Sequence, residues 1–299
     1  MSKNWLISLI ACAGVSSLSL PAKGQAVLPY VPQLDSEQLE LQGLQLLQDA
    51  VQLIRFQQYD LALPRAELAT QLAPEDYDVW FILGSLYVQQ EKLDRGIKVL
   101  EKAESIAPEQ EAVLFRLGDA YFQKGDYETA RDKIEAGLEI KNESPDALFS
   151  LGNTYLKLAE YDDAIDAYEE ALEMEKTFWP ALNNVGLVEY EKGDRDEAVA
   201  KWESVIEMDA KQAEPQLALA VALFADGMEN EAIELGKAAL KLDSRYAELE
   251  FLEENLWGEQ LLEDTRLFLN NPQIKQAVAS LEQSAPEQMP APDEGVPVP

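Results

Sequence analysis

The stretches FILGSLY (81–87), FRLGDAY (115–121), FSLGNTY (149–155) and NNVGLVE (183–189) recur every 34 residues, each centred on a glycine: Gly84, Gly118, Gly152 and Gly186. Around the glycines the large apolar residues fall at i, i+3 and i+7, as in Trp80, Leu83 and Tyr87 or Leu148, Leu151 and Tyr155. That spacing places them on one face of a helix. A fixed period of this length, built from two such stripes, specifies a stacked array of helix-turn-helix units.

Counting outward from the glycines, six units tile without gap or insertion: 43–76, 77–110, 111–144, 145–178, 179–212 and 213–246. Position 8 of each unit is small (Ala50, the four glycines, Ala220), and so is position 20 (Ala62, Gly96, Ala130, Ala164, Ala198, Ala232). Small residues let two helices approach closely. Leu100, Ile134, Tyr168 and Trp202 fill a bulky position in the second helix, while Ala103, Ala171 and Ala239 continue its small stripe. Pro74 and Pro108 close their units, and Gly125-Asp126 and Gly193-Asp194 mark turns between paired helices. Some positions depart from the pattern: Asp49 and Pro64 in the first unit, Glu189 in place of an aromatic in the fifth, and Gly236 at the bulky position of the sixth.

On these residues the chain resembles the tetratricopeptide repeat (TPR) family over 43–246. The resemblance implies an all-α fold, a right-handed superhelical solenoid of about six TPR helix-turn-helix repeats with C-terminal capping helices and a concave groove. The flanks fit. Asp35 and Gln38 form a capping box that opens the first helix, so 27–42 holds a linker with Pro29 and Pro32 and the start of that helix. Leu249, Leu252, Leu256 and Trp257 make a stripe suited to covering the last repeat, so 247–284 reads as capping helices, one starting at Asn271-Pro272. The tail 285–299 is proline-rich and acidic, with the composition of a disordered segment.

Residues 1–26 carry Lys3, an apolar run from Trp5 to Leu20, and small residues before Ala26. This is the pattern of a secretory signal peptide cleaved after Ala26. The run is shorter than the ~20 residues of a spanning helix. A lipoprotein reading at Cys12 leaves too short an apolar run ahead of the cysteine. Export to a periplasm or a thylakoid lumen is therefore expected.

Composition narrows the chemistry. The chain has no histidine, its one cysteine is Cys12, and its net charge is −32. These remove the commonest general base, a disulfide and a thiolate metal site, and they disfavour nucleic acid, whose phosphates need lysine and arginine. Acidic runs such as Asp162-Asp163 lack the spacing of a calcium loop. With the repeats and caps using nearly all of the remaining chain, no catalytic domain and no cofactor are expected.

In proteins of the resembled family, ligands lie along positions 2, 5, 9 and 12 of each first helix. Here those positions, with the neighbouring position 6, give a candidate peptide groove of Phe81, Phe115, Arg116, Asp119, Phe122, Phe149, Asn153, Asn183, Asn184 and Tyr190. The aromatics either face a ligand or pack against the next repeat. Asn153 and Asn184 coincide with the asparagines of the family's carboxylate clamp, but Phe149, Glu214 and Ala218 replace its cations. The resemblance therefore implies an extended, apolar polypeptide anchored by Asn153 and Asn184, and no acidic chaperone tail. The expected role is a non-catalytic scaffold or assembly factor. A self-associating envelope protein working through its end faces is the alternative. The leader and the mature start also look like exported TPR proteins of cyanobacteria, which brings in photosynthetic complex subunits as possible partners.

Overall fold

A computed structural model describes residues 35–284; the signal segment 1–26, Pro29 and Pro32 of the linker, and the tail 285–299 lie outside the described residues. The described residues form fifteen α-helices and one 3-10 turn, with no strand among them. Six antiparallel pairs follow the tiling of the sequence: α1 (Ser36–Arg55) with α2 (Tyr59–Leu72), α3 (Tyr77–Gln89) with α4 (Leu93–Ile106), and α5 (Glu111–Lys124) with α6 (Tyr127–Ile140). Then come α7 (Pro145–Lys157) with α8 (Tyr161–Met174), α9 (Trp179–Lys192) with α10 (Arg195–Met208), and α11 (Ala213–Ala225) with α12 (Glu229–Leu242).

Local chemistry sets the helix ends. The Asp76 side chain accepts from the Asp78 amide at 2.8 Å, and Ser144 accepts from Ala147 at 3.3 Å just ahead of Pro145 in the first turn of α7. Each satisfies an amide that the helix itself leaves unbonded. Between paired helices the same position of every repeat has a left-handed backbone: Gln57, Glu91, Gly125, Ala159, Gly193 and Gly227 all have φ between 58° and 90°. Three of the six are glycine, the residue that tolerates this conformation without a Cβ clash.

The pairs lock through one size rule. A Cβ on Gly84 would meet Leu100 at 2.6 Å, and Gly118, Gly152 and Gly186 are filled in the same way by Ile134, Tyr168 and Trp202. Position 8 thus stays small so that position 24 can be large, and Leu100, Tyr168 and Trp202 are fully buried. Successive repeats are then tied by a recurring tyrosine. Tyr87 donates to Glu67 at 2.8 Å, Tyr121 to Glu101 at 2.9 Å and Tyr155 to Glu135 at 2.6 Å. Burial and the adjacent carboxylate push the Tyr121 hydroxyl up to about 12. The series ends at Glu189, which pairs with Lys192 at 3.6 Å instead.

After α12 the chain leaves the period. A 3-10 turn (Ser244–Ala247) leads to α13 (Leu249–Glu254), α14 (Glu259–Leu269) and α15 (Pro272–Ser284). Asn271 caps α15, accepting from the Gln273 amide at 2.9 Å. The 3-10 turn and α15 pack on α12, as a cap does, but α14 packs on α9 and α11, the first helices of the last two repeats. The terminal segment is therefore more than the end cap expected from the sequence.

Candidate functional site

The first helices line one side of the stack, and the C-terminal segment divides that side in two. Over the fifth and sixth repeats it fills the groove. Phe268 of α14 is fully buried, and its ring occupies the space a Cβ on Gly236 would need. Gly236 stands at the bulky position of its repeat, so the missing side chain of α12 is supplied by α14, and Phe224 meets Phe268 edge to face at 5.4 Å. Around this plug, Asp264 accepts from the Tyr190 hydroxyl at 2.6 Å and pairs with Arg195 at 3.0 Å. Glu191 caps α14 by accepting from the Gln260 and Leu261 amides at 3.2 and 3.0 Å.

Tyr190 is corrected by this arrangement. It is fully buried, stacks at 5.8 Å on Trp202, and gives its hydroxyl to α14. It is a docking point for the chain's own helix rather than for a ligand. Asn184 is corrected as a backbone anchor. It is 6% exposed, and its amide donates to Asn153 at 2.9 Å and to the Tyr168 hydroxyl at 3.4 Å, while its oxygen accepts from Asn183.

The polar residues of the groove turn out to bridge neighbouring repeats. Arg116 donates to the Ser85 carbonyl at 3.2 Å, Ser150 donates to Asp119 at 3.3 Å, and Asn184 donates to Asn153, so position 6 of the third, fourth and fifth repeats reaches position 9 of the one before. Burial raises the Asp119 carboxyl above its ordinary range, against the pull of Arg116 at 3.8 Å. The period of 34 displayed these residues, but not their use of one another.

Over the second to fourth repeats the phenylalanines are half-buried. Phe81 leans on the core that holds Leu100 and Ala103, and the Phe115 ring lies against Gly137 of its own repeat. Phe149 packs beside Tyr168 at 5.8 Å and Phe178 at 5.3 Å. Each ring therefore packs within the array and stays partly exposed. Phe122 and Phe149, with Asn153, Trp179, Asn183 and Glu214, line a cavity of about 270 Å³ that Glu254 and Leu256 of the C-terminal segment overhang. A second, larger hollow continues from it past Phe122, Tyr127 and Lys157.

Glu214, read in the sequence only as a replacement for a clamp cation, has a setting that sequence reading missed. It sits at position 2 of the sixth repeat, accepting from the Trp257 indole at 3.0 Å and the Tyr246 hydroxyl at 3.5 Å. Burial pushes its carboxyl above the ordinary range, while hydrogen bonds from Trp257, Asn183 and Tyr246 pull the other way. Leu256, at the overhang, has φ of 69°. A leucine held left-handed costs ~1–2 kcal/mol and persists only where its surroundings fix it.

No group of histidine, cysteine, aspartate or glutamate among the described residues could hold a metal ion. No described helix is long and apolar enough to cross a membrane. The molecule is an all-helical repeat solenoid with a concave face that its own C-terminal segment partly fills.

Its repeats are tetratricopeptide repeats. Profiles described as tetratricopeptide repeat match residues 145–178 and, for another, 50–111 and 184–247, and a TPR repeat profile matches 118–159. No catalytic family is among these matches, and TPR proteins are protein-interaction scaffolds. Solved structures of the same fold include a chain of the APC/C hetero-tetramer Cut9–Hcn1, at TM-score 0.60 and 14% identity, covering 81% of this chain and 46% of that one. MamA from Desulfovibrio magneticus RS-1, a fragment running from its residue 41 to the end, aligns at TM-score 0.54 and 17% identity, over 57% of this chain and 97% of that one. YrrB, a TPR protein with an unusual peptide-binding site, aligns at TM-score 0.50 and 21% identity, covering 63% and 97%. No curated protein sequence matches the chain.

Proposed function

We propose that this protein is a non-catalytic scaffold or assembly factor that binds an extended polypeptide along the second to fourth repeats, in an exported compartment. The observation that carries the reading is the contrast at position 5 of the groove: Phe81, Phe115 and Phe149 are half-exposed, whereas Asn183 and Leu217 are buried. A groove that is open where it is aromatic and closed where the chain folds back offers one defined stretch to a partner. YrrB, of the same fold, has a peptide-binding site, which supports this reading.

A photo-crosslinking amino acid at Phe122, compared with one at exposed Met174 on α8, tests the groove in an extract of the source cells. Adducts of defined size at Phe122, lost with Phe149→Ala and absent at Met174, support it. Equal labelling at both positions contradicts it. Export rests on the leader pattern of residues 1–26. N-terminal sequencing of the native protein should begin at Val27, and a retained Met1 would exclude this cleavage. Photosynthetic complex subunits remain candidate partners by analogy with exported cyanobacterial TPR proteins.

Self-association through an end face is the second reading, favoured by Leu41, Phe56, Leu61 and Leu68, large apolar side chains exposed in or just ahead of the first repeat. Light scattering on the purified mature chain separates the two readings. A monomer fits the groove, and a defined oligomer fits the end face.

A further inference from the structure

The cavity at the junction of the fourth, fifth and sixth repeats carries negative charge and no positive charge. Its polar lining is Glu214, Glu254 at the rim and the amides of Asn153, Asn183, Asn184 and Asn255, its walls include Phe122, Phe149 and Trp179, and no lysine or arginine lines it. Among the described residues no cation forms an ion pair with Glu214, whose hydrogen-bond partners are the neutral Trp257, Asn183 and Tyr246. A carboxylate drawn from water without a counter-charge is costly, and it is normally paired.

The second observation concerns Asn183, beside that carboxylate. Asn183 is 1% exposed, its amide nitrogen donates to Asn184 at 3.1 Å, and its side-chain oxygen has no hydrogen-bond partner. Buried carbonyl oxygens are nearly always satisfied, and an exception inside a cavity lining asks for a donor. The cavity of about 270 Å³ is smaller than the clefts of ~300–1,000 Å³ that take drug-sized ligands, and it suits one long side chain.

We infer that this cavity receives a cationic side chain, arginine or lysine, of the bound polypeptide, with Glu214 as its counter-charge and the Asn183 oxygen as a further acceptor. An ammonium or guanidinium supplies several donors and a positive charge, the complement of the cavity's carboxylates. The aromatic walls add attraction for a cation. The inference rests on the groove reading and specifies one residue of its ligand.

Labelled nine-residue peptides test it, with apolar residues at alternate positions and a central arginine, lysine, norleucine or glutamate, followed by fluorescence anisotropy on the full-length protein. The arginine and lysine peptides should bind about tenfold more tightly than the norleucine peptide, and the advantage should shrink in high salt. Glu214→Gln should remove that advantage. Equal affinity for the arginine and norleucine peptides overturns the inference and leaves the groove reading standing. Failure of every peptide to bind overturns both. The comparison among peptides on the unaltered protein holds even if Glu214→Gln does not fold.

Discussion

The two halves of the groove are built from the same repeat and end in opposite states. In the second to fourth repeats, position 8 is glycine, position 24 is large, and the phenylalanines at position 5 keep an exposed edge. In the sixth repeat the size rule is reversed, with Ala220 at position 8 and Gly236 at position 24, and the chain fills the vacancy with Phe268 from 32 residues further on. A single missing side chain thus converts a groove into a receptor for the chain's own terminus. The sealed half stores its contacts internally, and the open half keeps them for a partner.

The largest effect is expected from Phe268→Ala, which empties the Gly236 notch and should cost about 3–5 kcal/mol, as for other buried aromatics. Urea denaturation should show the loss, and hydrogen exchange should place it in α11, α12 and α14, leaving α3 to α6 unchanged. A loss spread evenly over all repeats would break the distinction between the halves. Asp264→Ala should follow at about 1–3 kcal/mol, because the buried Tyr190 hydroxyl loses its acceptor. Arg195 keeps Asp226 at 3.6 Å, so its charge is not stranded. Tyr190→Phe combined with Asp264→Ala should then cost little more than Asp264→Ala alone.

The repeats were legible because they are periodic. Tile boundaries, turn glycines and the small and large stripes all reappear in the helices, and even the departures at Glu189 and Gly236 stood out in register. What periodicity cannot carry is a contact to a segment outside the period. Gly236 looked like a weak terminal repeat because its partner, Phe268, belongs to no repeat. Tyr190 looked like a groove residue because Asp264 lies 74 residues away. Asn153 and Asn184 were visible as a pair, but their bond to each other depends on the stacking angle of neighbouring repeats. Glu214 had only its charge to recommend it. The covering Trp257 and Tyr246 made it distinctive.

The sealed half also lacks one bond that the open half repeats. Glu189→Tyr restores the tyrosine of the second to fourth repeats opposite Glu169 and should stabilise the fifth junction by roughly 0.5–1.5 kcal/mol in thermal or urea unfolding. No gain would mean that the Tyr–Glu series is decorative.

Glu214→Gln has the smallest expected effect, and the opposite sign to the first two. Since the folded protein raises this carboxyl, the group favours folding below its unfolded pKa of about 4.3, and that contribution is lost as pH rises toward the folded value. The amide carries no charge to desolvate, so the variant should be more stable at pH 7 by roughly 0.5 kcal/mol and level with the parent in acid. A variant less stable at neutral pH would mean the carboxylate is structural, and its case as a counter-charge for a ligand would weaken.

Hydroxyl-radical footprinting of the intact, unaltered protein tests the division of the groove most directly. Tyr190 and Phe268 should be protected to the level of Trp202, while Phe122 and Phe149, half-buried in the open stretch, should be oxidised at a measurable rate. Oxidation of Tyr190 and Phe268 as fast as Phe122 would contradict the account, because the C-terminal segment would then not occupy the groove.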